Sequence, residues 1–494
     1  MKNNFLYYGT SFLTGYVILS LELLGLRIFA PYFGYSLYVS SSLIGVILLA
    51  LSLGYSLGGY WGDHGGKKYL ISELLFLSGA YLFIIWVFEN DILSTFFQYS
   101  VITGSLLATL VFFALPMILL ASLSPYFIKL LSDEKNHKVG LSAGSVYTVG
   151  TMGSLLGTFL TSFWLVPEFG ASFSFLTNIV LLFSLSVLWS TVKTTSRVLG
   201  IATVFLLFSV GGYNAFLPKD AIAQVDSLYS HLEVADIGNF LGLRVDRRNG
   251  LIYSVYPKEG KWQGDYIFYH LFAIPPIINN AKTSILLGLG TGTIPYIHQE
   301  FNPNLSITGV EIDPGIVELG NEYFGLKDRT NTKVIVDDVR PFLEKDSSKY
   351  DLIEADLFWG SGEIPFYLTT KEFFTLTKEH LSETGILAVN VYDPSKNNII
   401  IRPVMNTIAS VYKFTAVVPF RSGSYFIMGS NSPISAEPIL AWAKDHTDDA
   451  RFLQIIDTFT EKITSIQFDP HAEIFTDDRS PIEKLTYKAI FSQK

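Results

Sequence analysis

A glycine-rich turn followed by an acidic residue is the part of this sequence that most clearly indicates chemistry. Residues 283–313 read TSILLGLGTGTIPYIHQEFNPNLSITGVEID, in which a short apolar run ends in Gly288, Gly290 and Gly292. A helix-like segment and a second apolar run follow, and the second run ends in Glu311, 19 residues after the last glycine. Glycines at such a turn allow close approach to a ligand, and an acid in this register accepts hydrogen bonds from ribose hydroxyls. The pattern predicts that the second half of the chain binds a nucleoside-bearing cofactor.

Two further carboxylates end strands that the sequence predicts after this unit. Asp338 follows the run VIVD, and Asp356 ends the run YDLIEAD. In an open α/β sheet, ligands bind outside the carboxyl ends of the strands, so Glu311, Asp338 and Asp356 are expected to line one crevice. Each acid also has a simpler interpretation. Glu311 could be a capping or solvated acid, Asp338 the cap of the next helix, and Asp356 a plain loop acid.

Alternating strands and helices are predicted around these residues. Strands are expected near 284–287, 306–311, 333–337, 350–355 and 385–391, with helical periodicity between them. This alternation predicts a parallel, doubly wound sheet. The runs FTAVVPF and SYFIMGS, which are separated by a short turn, predict an antiparallel pair at the sheet edge. Residues 219–282 are expected to form a small β-hairpin region, because Asn249-Gly250 lies between two strand-like runs.

The first 218 residues have the composition of a membrane domain. Within the 494 residues, positions 1–218 hold only 9 Lys and Arg and 8 Asp and Glu, whereas positions 219–494 hold 26 and 36. A membrane-spanning helix needs about 20 mostly apolar residues. This criterion predicts seven spans, near 5–25, 41–62, 69–88, 103–128, 141–166, 171–191 and 197–216. The expected domains are therefore 1–218 in the membrane, the β region 219–282, and an α/β domain at 283–494.

Basic residues in the loops give a conflicting picture of the membrane topology. Lys67-Lys68, the Lys129–Lys138 loop, and Lys193 with Arg197 follow spans two, four and six, which places these loops and the N-terminus in the cytoplasm. Seven spans would then put the soluble domain outside, where nucleoside cofactors are scarce. The uncharged stretch Ile92–Ile128 is too long for one crossing, so it is interpreted as two short crossings or as one crossing with an interfacial helix. We expect a multi-pass protein of the cell (inner) membrane with a cytoplasmic soluble domain.

The remaining composition narrows the classes of function. The chain has no cysteine, which excludes disulfides and cysteine metal sites. The sequence also has no basic patch of the kind that binds nucleic acid. Two acids within the predicted spans, Glu22 and Glu73, are functional candidates by their position. The expected partners are the lipid bilayer and a small-molecule substrate, and a homodimer is left open.

The motifs GLGTGT, VEIDP, VDDVRPFL and YDLIEADLFWGSGEIPFYLTTKEFF resemble the spermidine synthase family of polyamine aminopropyltransferases, which share the class I methyltransferase fold. The first half, including LELLGLRIFAPYFGYSLYVSSSLIGVILLALSLGYSLGGYWGD, resembles the multi-span domain that is fused to spermidine synthase-like domains in bacteria. Together these motifs cover most of the chain. The resemblance implies a multi-span α-helical membrane domain followed by a doubly wound, Rossmann-type α/β domain.

The resemblance also implies roles for individual residues. Glu311 would bind the ribose of decarboxylated S-adenosylmethionine, the glycine turn would hold its aminopropyl-sulfonium side, and Asp338 would bind the adenine amino group. Asp356 would be the catalytic base that takes a proton from the attacking amine. Tyr266 is similar to a family tyrosine near that amine. The positive sulfonium activates the carbon under attack, so the expectation is a co-substrate with no metal and no tightly bound cofactor.

The sequence departs from the family pattern on the amine side of the site. Trp359, Tyr253 and Ser230 stand where the family has a second acid and two glutamines. These departures leave the donor open between decarboxylated and ordinary S-adenosylmethionine, and they leave the amine or polyamine acceptor unidentified.

Three functions therefore remain, and a membrane-anchored aminopropyltransferase is the preferred hypothesis. The second is a methyltransferase that uses ordinary S-adenosylmethionine. The third is a transporter or sensor whose soluble domain binds an adenosyl ligand without turnover. The segment LGYSLGGYWGDHGGKK at 53–68 resembles a loop of major facilitator transporters, which favours the third function.

Overall fold

The protein is described here by a computed structural model, which covers residues 2–34, 36–64, 67–135, 138–190, 220–227, 229–245, 252–260, 262, 264–357, 364–420, 423–446 and 450–491. The chain divides into two compact units, Met1–Pro218 and Lys219–Lys494.

The described part of the first unit consists of helices. They are α1 (Lys2–Phe33), α2 (Leu37–Asp63), α3 (Lys68–Val87), α4 (Glu89–Phe96), α5 (Val101–Thr109), α6 (Leu115–Lys135), α7 (Val139–Leu160) and α8 (Val166–Trp189). Two π-helical segments, Leu110–Ala114 and Thr161–Leu165, join α5 to α6 and α7 to α8. Within the described residues, five helical stretches are long and apolar enough to cross a membrane: Phe5–Phe33, Leu37–Asp63, Tyr69–Val87, Val101–Asp133 and Val139–Trp189.

Six of the seven spans that the sequence predicts overlap these five stretches. The spans predicted at 141–166 and 171–191 share the 51-residue stretch Val139–Trp189, which Gly170 interrupts with a φ of 80° and a ψ of 169°. The uncharged stretch Ile92–Ile128 contains part of the short helix α4 and most of the continuous helical stretch Val101–Asp133. The span predicted at 197–216 lies outside the described residues.

Small residues let the helices of the first unit approach one another closely. A Cβ atom placed on Gly58 of α2 would lie only 2.0 Å from the carbonyl oxygen of Ser122 in α6. Helices α3 and α8 are joined by two reciprocal hydrogen bonds: the Ser72 hydroxyl donates to the Ser186 carbonyl at 2.7 Å, and the Ser186 hydroxyl donates to the Ser72 carbonyl at 2.9 Å. Close backbone contact and interhelical hydrogen bonds are the main attractions between helices in a membrane.

The second unit begins with an antiparallel sheet in the strand order β1-β2-β3-β4. The strands are β1 (Ala221–Asp226), β2 (His231–Asp236), β3 (Phe240–Val245) and β4 (Ile252–Pro257). The predicted hairpin corresponds to β3 and β4, which pair antiparallel, and its Asn249-Gly250 turn lies outside the described residues. A 3-10 helix, Gly264–Ala273, and helix α9 (Ile274–Asn279) follow.

A second, eight-stranded sheet forms the centre of this unit. Its strands are β5 (Thr283–Leu287), β6 (Ser306–Glu311), β7 (Thr332–Val336), β8 (Tyr350–Ala355), β9 (Leu381–Tyr392), β10 (Phe414–Pro419), β11 (Ser424–Ser430) and β12 (Thr464–Ile466). The helices of this region are α10 (Thr293–Phe301), α11 (Pro314–Tyr323), α12 (Val339–Lys345), α13 (Lys371–Glu379), α14 (Ile401–Ala409), α15 (Glu437–His446), α16 (Ala450–Lys462) and α17 (Ile482–Phe491), with short 3-10 turns at Leu326–Asp328 and Phe366–Leu368.

Both faces of this sheet are covered by apolar side chains. Ile285 and Leu286 are adjacent in β5, yet they belong to two different buried apolar clusters. Ile353 and Leu352 of β8 divide between the same two clusters. Because successive side chains of a strand point to opposite faces, this division shows a sheet that is packed on both sides. Continuous apolar runs such as SILL are the sequence pattern of such a strand.

The strand order of the large sheet is β12-β10-β11-β9-β8-β5-β6-β7, with parallel pairing from β9 through β7. This confirms the expected doubly wound, class I methyltransferase-like domain. The strand order reverses at β5, which lies between β8 and β6, so the carboxyl ends of these three strands border the crevice where such sheets bind ligands. The predicted antiparallel pair is β10 and β11, but its placement at the edge is wrong. The three-residue β12 pairs beyond β10, and so short a strand has no detectable alternation.

Adding one methyl group should distinguish a tightly packed glycine of the first unit from a glycine that has free space beside it. Gly58→Ala puts a Cβ against the Ser122 carbonyl, and such overpacking typically costs about 1–3 kcal/mol. Gly59→Ala is the matched control, because a Cβ there meets nothing within 4 Å. We expect Gly58→Ala to lower the melting temperature of the detergent-solubilised protein and Gly59→Ala to leave it equal or higher. Equal losses in both variants would contradict this packing.

Candidate active site

The turn after β5 needs glycine because its backbone has positive φ and lies against other chain segments. Gly288, Gly290 and Gly292 have φ values of 84°, 56° and 96°. A Cβ on Gly288 would lie 2.4 Å from the carbonyl oxygen of Asp356, and a Cβ on Gly290 would lie 2.6 Å from the Ser254 hydroxyl oxygen. The turn is therefore in direct contact with the end of β8 on one side and with β4 on the other. Gly292 ends the turn as the first flanking residue of α10.

Glu311 ends β6 and binds the glycine turn directly. Its two carboxylate oxygens accept backbone N–H groups, from Gly290 at 2.8 Å and from Asp313 at 3.1 Å. Only 7% of the residue is exposed, so it is not the solvated acid of the simpler interpretation. Burial raises the pKa of Glu311 to about 7, and the charge of Asp313 acts in the same direction, while the two N–H groups oppose the rise.

Asp313 is a fourth pocket acid, to which the sequence interpretation assigned no role. It is 1% exposed and caps α11, because its Oδ1 accepts the Gly315 N–H at 2.9 Å. Its Oδ2 accepts the hydroxyl of Ser227 at 2.5 Å. The signal was present in the sequence, since an Asp directly before Pro314 is a typical helix start.

Asp338 is both a helix cap and a pocket residue. Its Oδ1 accepts the Arg340 N–H at 3.0 Å at the start of α12, which is the capping role considered as the simpler interpretation. Its Oδ2 accepts the hydroxyl of Tyr367 at 3.0 Å. The two roles are compatible, because the capping oxygen and the oxygen bound by Tyr367 are different atoms.

Asp356 follows β8 directly and is held by the neighbouring strand. Asn390 of β9 donates its amide Nδ2–H to Asp356 Oδ1 at 2.9 Å, and the Asp356 N–H donates to the Leu287 carbonyl at 3.0 Å. Burial raises the pKa of Asp356 to about 6, the charge of Glu354 adds to the rise, and the bond from Asn390 opposes it. The carboxylate can therefore take up a proton near neutral pH, as a general base must.

A buried acid–histidine pair joins the same strand to helix α10. Glu354 of β8 and His298 of α10 are both completely buried, with 2.8 Å between Glu354 Oε1 and His298 Nε2. The hydroxyl of Ser284 donates to the other Glu354 oxygen at 2.8 Å. Neither member of this pair lines the pocket, so its contribution to the site is to hold α10 against the sheet and to place a charge near Asp356.

These elements enclose one pocket of about 980 Å³, part of which is open to solvent. Its described lining consists of Tyr229, Ser230, Leu243, Val245, Tyr253, Ser254, Tyr269, Gly288, Leu289, Gly290, Thr293, Ile294, Val310, Glu311, Ile312, Asp313, Ile316, Asp338, Val339, Asp356, Leu357, Pro365, Tyr367 and Leu368. The structure thus brings Gly288, Gly290 and the three predicted acids together, while Gly292 lies behind the lining. We call Glu311, Asp313, Asp338 and Asp356 the acidic wall.

Two residues named from the sequence cannot be placed in the pocket. Tyr266 belongs to the 3-10 helix Gly264–Ala273, and its side chain lies outside the described part of the structure. Trp359 falls in 358–363, which is also outside the described residues. The tyrosine of this helix that does line the pocket is Tyr269, whose hydroxyl donates to the Tyr253 carbonyl at 3.0 Å.

Comparison with known proteins shows which proteins this domain resembles. Residues 297–434 match the family described as "Spermine/spermidine synthase domain". A "Probable polyamine aminopropyl transferase" of Bifidobacterium longum is 29% identical over 292 residues, which span 56% of this chain and 64% of that protein. A "Polyamine aminopropyltransferase" of Vibrio vulnificus is 26% identical over 298 residues, which span 58% of this chain and 96% of that protein. A crystal structure of a probable spermidine synthase from Corynebacterium glutamicum aligns with 52% of this chain and 97% of its own, with a TM-score of 0.42 and 19% identity.

Breaking the buried pair behind the site should destabilise the domain strongly. His298→Leu leaves the Glu354 carboxylate buried without its partner, and removing one member of a buried pair typically costs about 3–5 kcal/mol. The double variant His298→Leu/Glu354→Leu removes both polar groups and should recover much of the loss. Thermal unfolding of the two variants and the parent measures this. A double variant that is less stable than the single variant would contradict the pairing.

Proposed function

We propose that the protein is a membrane-anchored aminopropyltransferase, because residues 297–434 match the spermine/spermidine synthase domain and similar proteins are named polyamine aminopropyltransferases. It transfers the aminopropyl group of decarboxylated S-adenosylmethionine to an amine. The observation that carries this proposal is the charge of the pocket. Four carboxylates line it, and its described lining contains no Lys, Arg or His.

The acidic wall favours the decarboxylated donor over ordinary S-adenosylmethionine. Both donors carry a positive sulfonium and an ammonium, but only the ordinary donor carries a carboxylate. A carboxylate placed among Glu311, Asp313, Asp338 and Asp356 meets like charges, which oppose its binding in a site of low dielectric constant. A donor with two positive charges and no negative one is attracted by the same groups.

Three residues support the orientation of the donor. We assign the ribose hydroxyls to Glu311, whose oxygens face the pocket while they accept the Gly290 and Asp313 N–H groups. We assign the adenine amino group to Asp338. Because a carboxylate oxygen has two lone pairs, its Oδ2 can accept that group in addition to the Tyr367 hydroxyl. The sulfonium then lies over the glycine turn, next to Asp356.

In the proposed transfer step, Asp356 is the base that takes a proton from the amine. The lone pair of the neutral amine attacks the methylene carbon of the aminopropyl group that is bonded to sulfur. The carbon–sulfur bond breaks, its electron pair stays on sulfur, and a neutral thioether leaves. The proton lost by the new secondary amine passes to the Asp356 carboxylate, whose raised pKa of about 6 suits this transfer. Asn390 keeps the carboxylate oriented, because it holds one of the two oxygens.

The helical first unit supports the proposed membrane anchor. Its five described stretches of membrane-spanning length and apolarity have the dimensions of transmembrane helices. We propose that the second unit faces the cytoplasm, since a nucleoside donor is made and kept there. The role assigned to Glu22 and Glu73 by position stays a prediction.

Product analysis with the purified full-length protein tests the proposed function. The protein is given either decarboxylated or ordinary S-adenosylmethionine together with a panel of amines, and the products are identified by mass spectrometry. We expect an aminopropylated amine and methylthioadenosine with the decarboxylated donor only. Methylated products with the ordinary donor, or no product with either donor, would overturn the proposal.

The Asp356→Asn variant should lose catalytic activity while it keeps its affinity for the nucleoside. It keeps the size of the side chain and removes its basicity, so turnover should fall by about 10²–10⁴-fold. The affinity for methylthioadenosine should stay near that of the parent. Turnover at the parent rate would show that Asp356 is not the base.

Substitution of Asn390, which donates a hydrogen bond to Asp356, should shift the pH profile of the turnover rate. In the parent, the rate should fall about tenfold per pH unit below a pH of about 6, because a protonated carboxyl cannot accept a proton. Asn390→Leu removes the donor that stabilises the anion, so the pKa of Asp356 rises and the acid limb moves to higher pH. A variant with lower activity and an unmoved acid limb would show that Asn390 does not tune this group.

The raised pKa of Glu311 predicts pH-dependent binding of the nucleoside. Ribose hydroxyls bind the ionised carboxylate, so affinity for methylthioadenosine should be constant above a pH of about 7 and fall below it by up to about tenfold per unit. Glu311→Gln should bind more weakly and lose this dependence. Calorimetry between about pH 5.5 and 8.5 measures both proteins, and identical pH profiles would contradict the assignment.

A further inference from the structure

One wall of the pocket has no charged side chain. It consists of Tyr229, Ser230, Leu243, Val245, Tyr253 and Ser254, which come from the four-stranded sheet and the loop before β2. We call these six residues the neutral wall. Tyrosine hydroxyls titrate near pH 10, and burial together with the nearby Asp residues raises the pKa of Tyr229 further, so the wall is neutral at physiological pH.

The neutral wall lies next to the position where the reacting carbon is expected. The Ser254 hydroxyl oxygen accepts the Thr291 N–H at 3.2 Å, inside the glycine turn that is assigned to the sulfonium. The backbone carbonyl of the adjacent Tyr253 accepts a hydrogen bond from the Tyr269 hydroxyl. This bond fixes the backbone of β4 at this point. Any acceptor that reaches the donor from the side of β4 therefore passes along a surface of aromatic, aliphatic and hydroxyl groups.

Most of the carboxylate oxygens on the acidic wall are already occupied. Both oxygens of Asp313 accept protein donors, and so do both oxygens of Asp338. Glu311 accepts two backbone N–H groups and is assigned to the donor's ribose. Asp356 accepts one protein donor, on Oδ1, which leaves Oδ2 for the acceptor nitrogen. Among the described lining residues, Asp356 Oδ2 is thus the carboxylate oxygen that neither accepts a protein hydrogen bond nor is assigned to the nucleoside, and the neutral wall contains no acid.

We propose that the acceptor is a primary monoamine with an apolar substituent rather than a diamine. Its single nitrogen lies at Asp356, and its substituent packs against Leu243, Val245 and the ring of Tyr253. A linear diamine of the same length would place its second ammonium against the neutral wall, where it loses water and finds no carboxylate. This inference rests on the proposed aminopropyl transfer and narrows its acceptor.

A pair of acceptors with the same length tests the inference in the full-length protein. n-Pentylamine and 1,4-diaminobutane differ only in a terminal methyl group where the diamine has an ammonium. With decarboxylated S-adenosylmethionine as donor, we expect kcat/KM for n-pentylamine to exceed that for the diamine by about tenfold or more. An equal or higher kcat/KM for the diamine overturns the inference and leaves the aminopropyl transfer intact. No aminopropylated product from any amine overturns the proposed function itself.

A charge added to the neutral wall provides the second test. Tyr253→Glu places a carboxylate there, and the ratio of kcat/KM values should shift toward 1,4-diaminobutane by about tenfold or more. Thr375→Glu is the matched control, because it adds the same charge on the exposed face of α13, outside the pocket lining. An unchanged ratio in a folded Tyr253→Glu protein, or an equal shift in the control, would overturn the assignment of this wall to the acceptor. If Tyr253→Glu does not fold, the ratio measured on the parent protein still decides.

Discussion

The close contact between the glycine turn and the end of β8 is the constraint on which the site depends. Gly288 leaves no room for a side chain beside the Asp356 carbonyl, and Gly290 donates its N–H to Glu311. These two contacts therefore fix the distance from the turn to the end of β6 and the distance from the turn to the end of β8. Only a parallel order that reverses at β5 brings these three strand ends to one edge. The acidic character of the pocket follows, because the ends of β6 and β8 carry Glu311 and Asp356, while the end of β5 carries the glycine turn.

The parts of the site that could be predicted from sequence are those that depend on local pattern. Glu311, Asp338 and Asp356 each stand at or just after the end of an apolar run in the sequence, so the same pattern predicts the end of the strand and the position of the acid. The parallel strands β5 to β9 were predicted for the same reason, since each is an apolar run separated from the next by a helical period.

The parts that could not be predicted depend on contacts between distant segments. Tyr229, Leu243 and Val245 enter the pocket because the four-stranded sheet packs over the glycine turn, and no local pattern encodes that arrangement. The bond from Asn390 to Asp356 depends on the register of β8 and β9, which pair Ala355 with Val389. In the first unit, the break at Gly170 looks in sequence like one glycine among several, because its φ is set by packing and not by its neighbours.

The double role of the capping acids has a consequence for how such a protein can diverge. Asp313 and Asp338 each start a helix and also line the pocket, so a substitution at either position changes stability and ligand recognition at once. Natural domains are only slightly more stable than they need to be, so a destabilising substitution at either position is poorly tolerated. The pocket-lining side chains of β3 and β4 cap no helix, although Ser254 also accepts the Thr291 N–H of the glycine turn. The part of the pocket lining that the small sheet contributes can therefore change at a lower cost in stability than the part that these capping acids contribute.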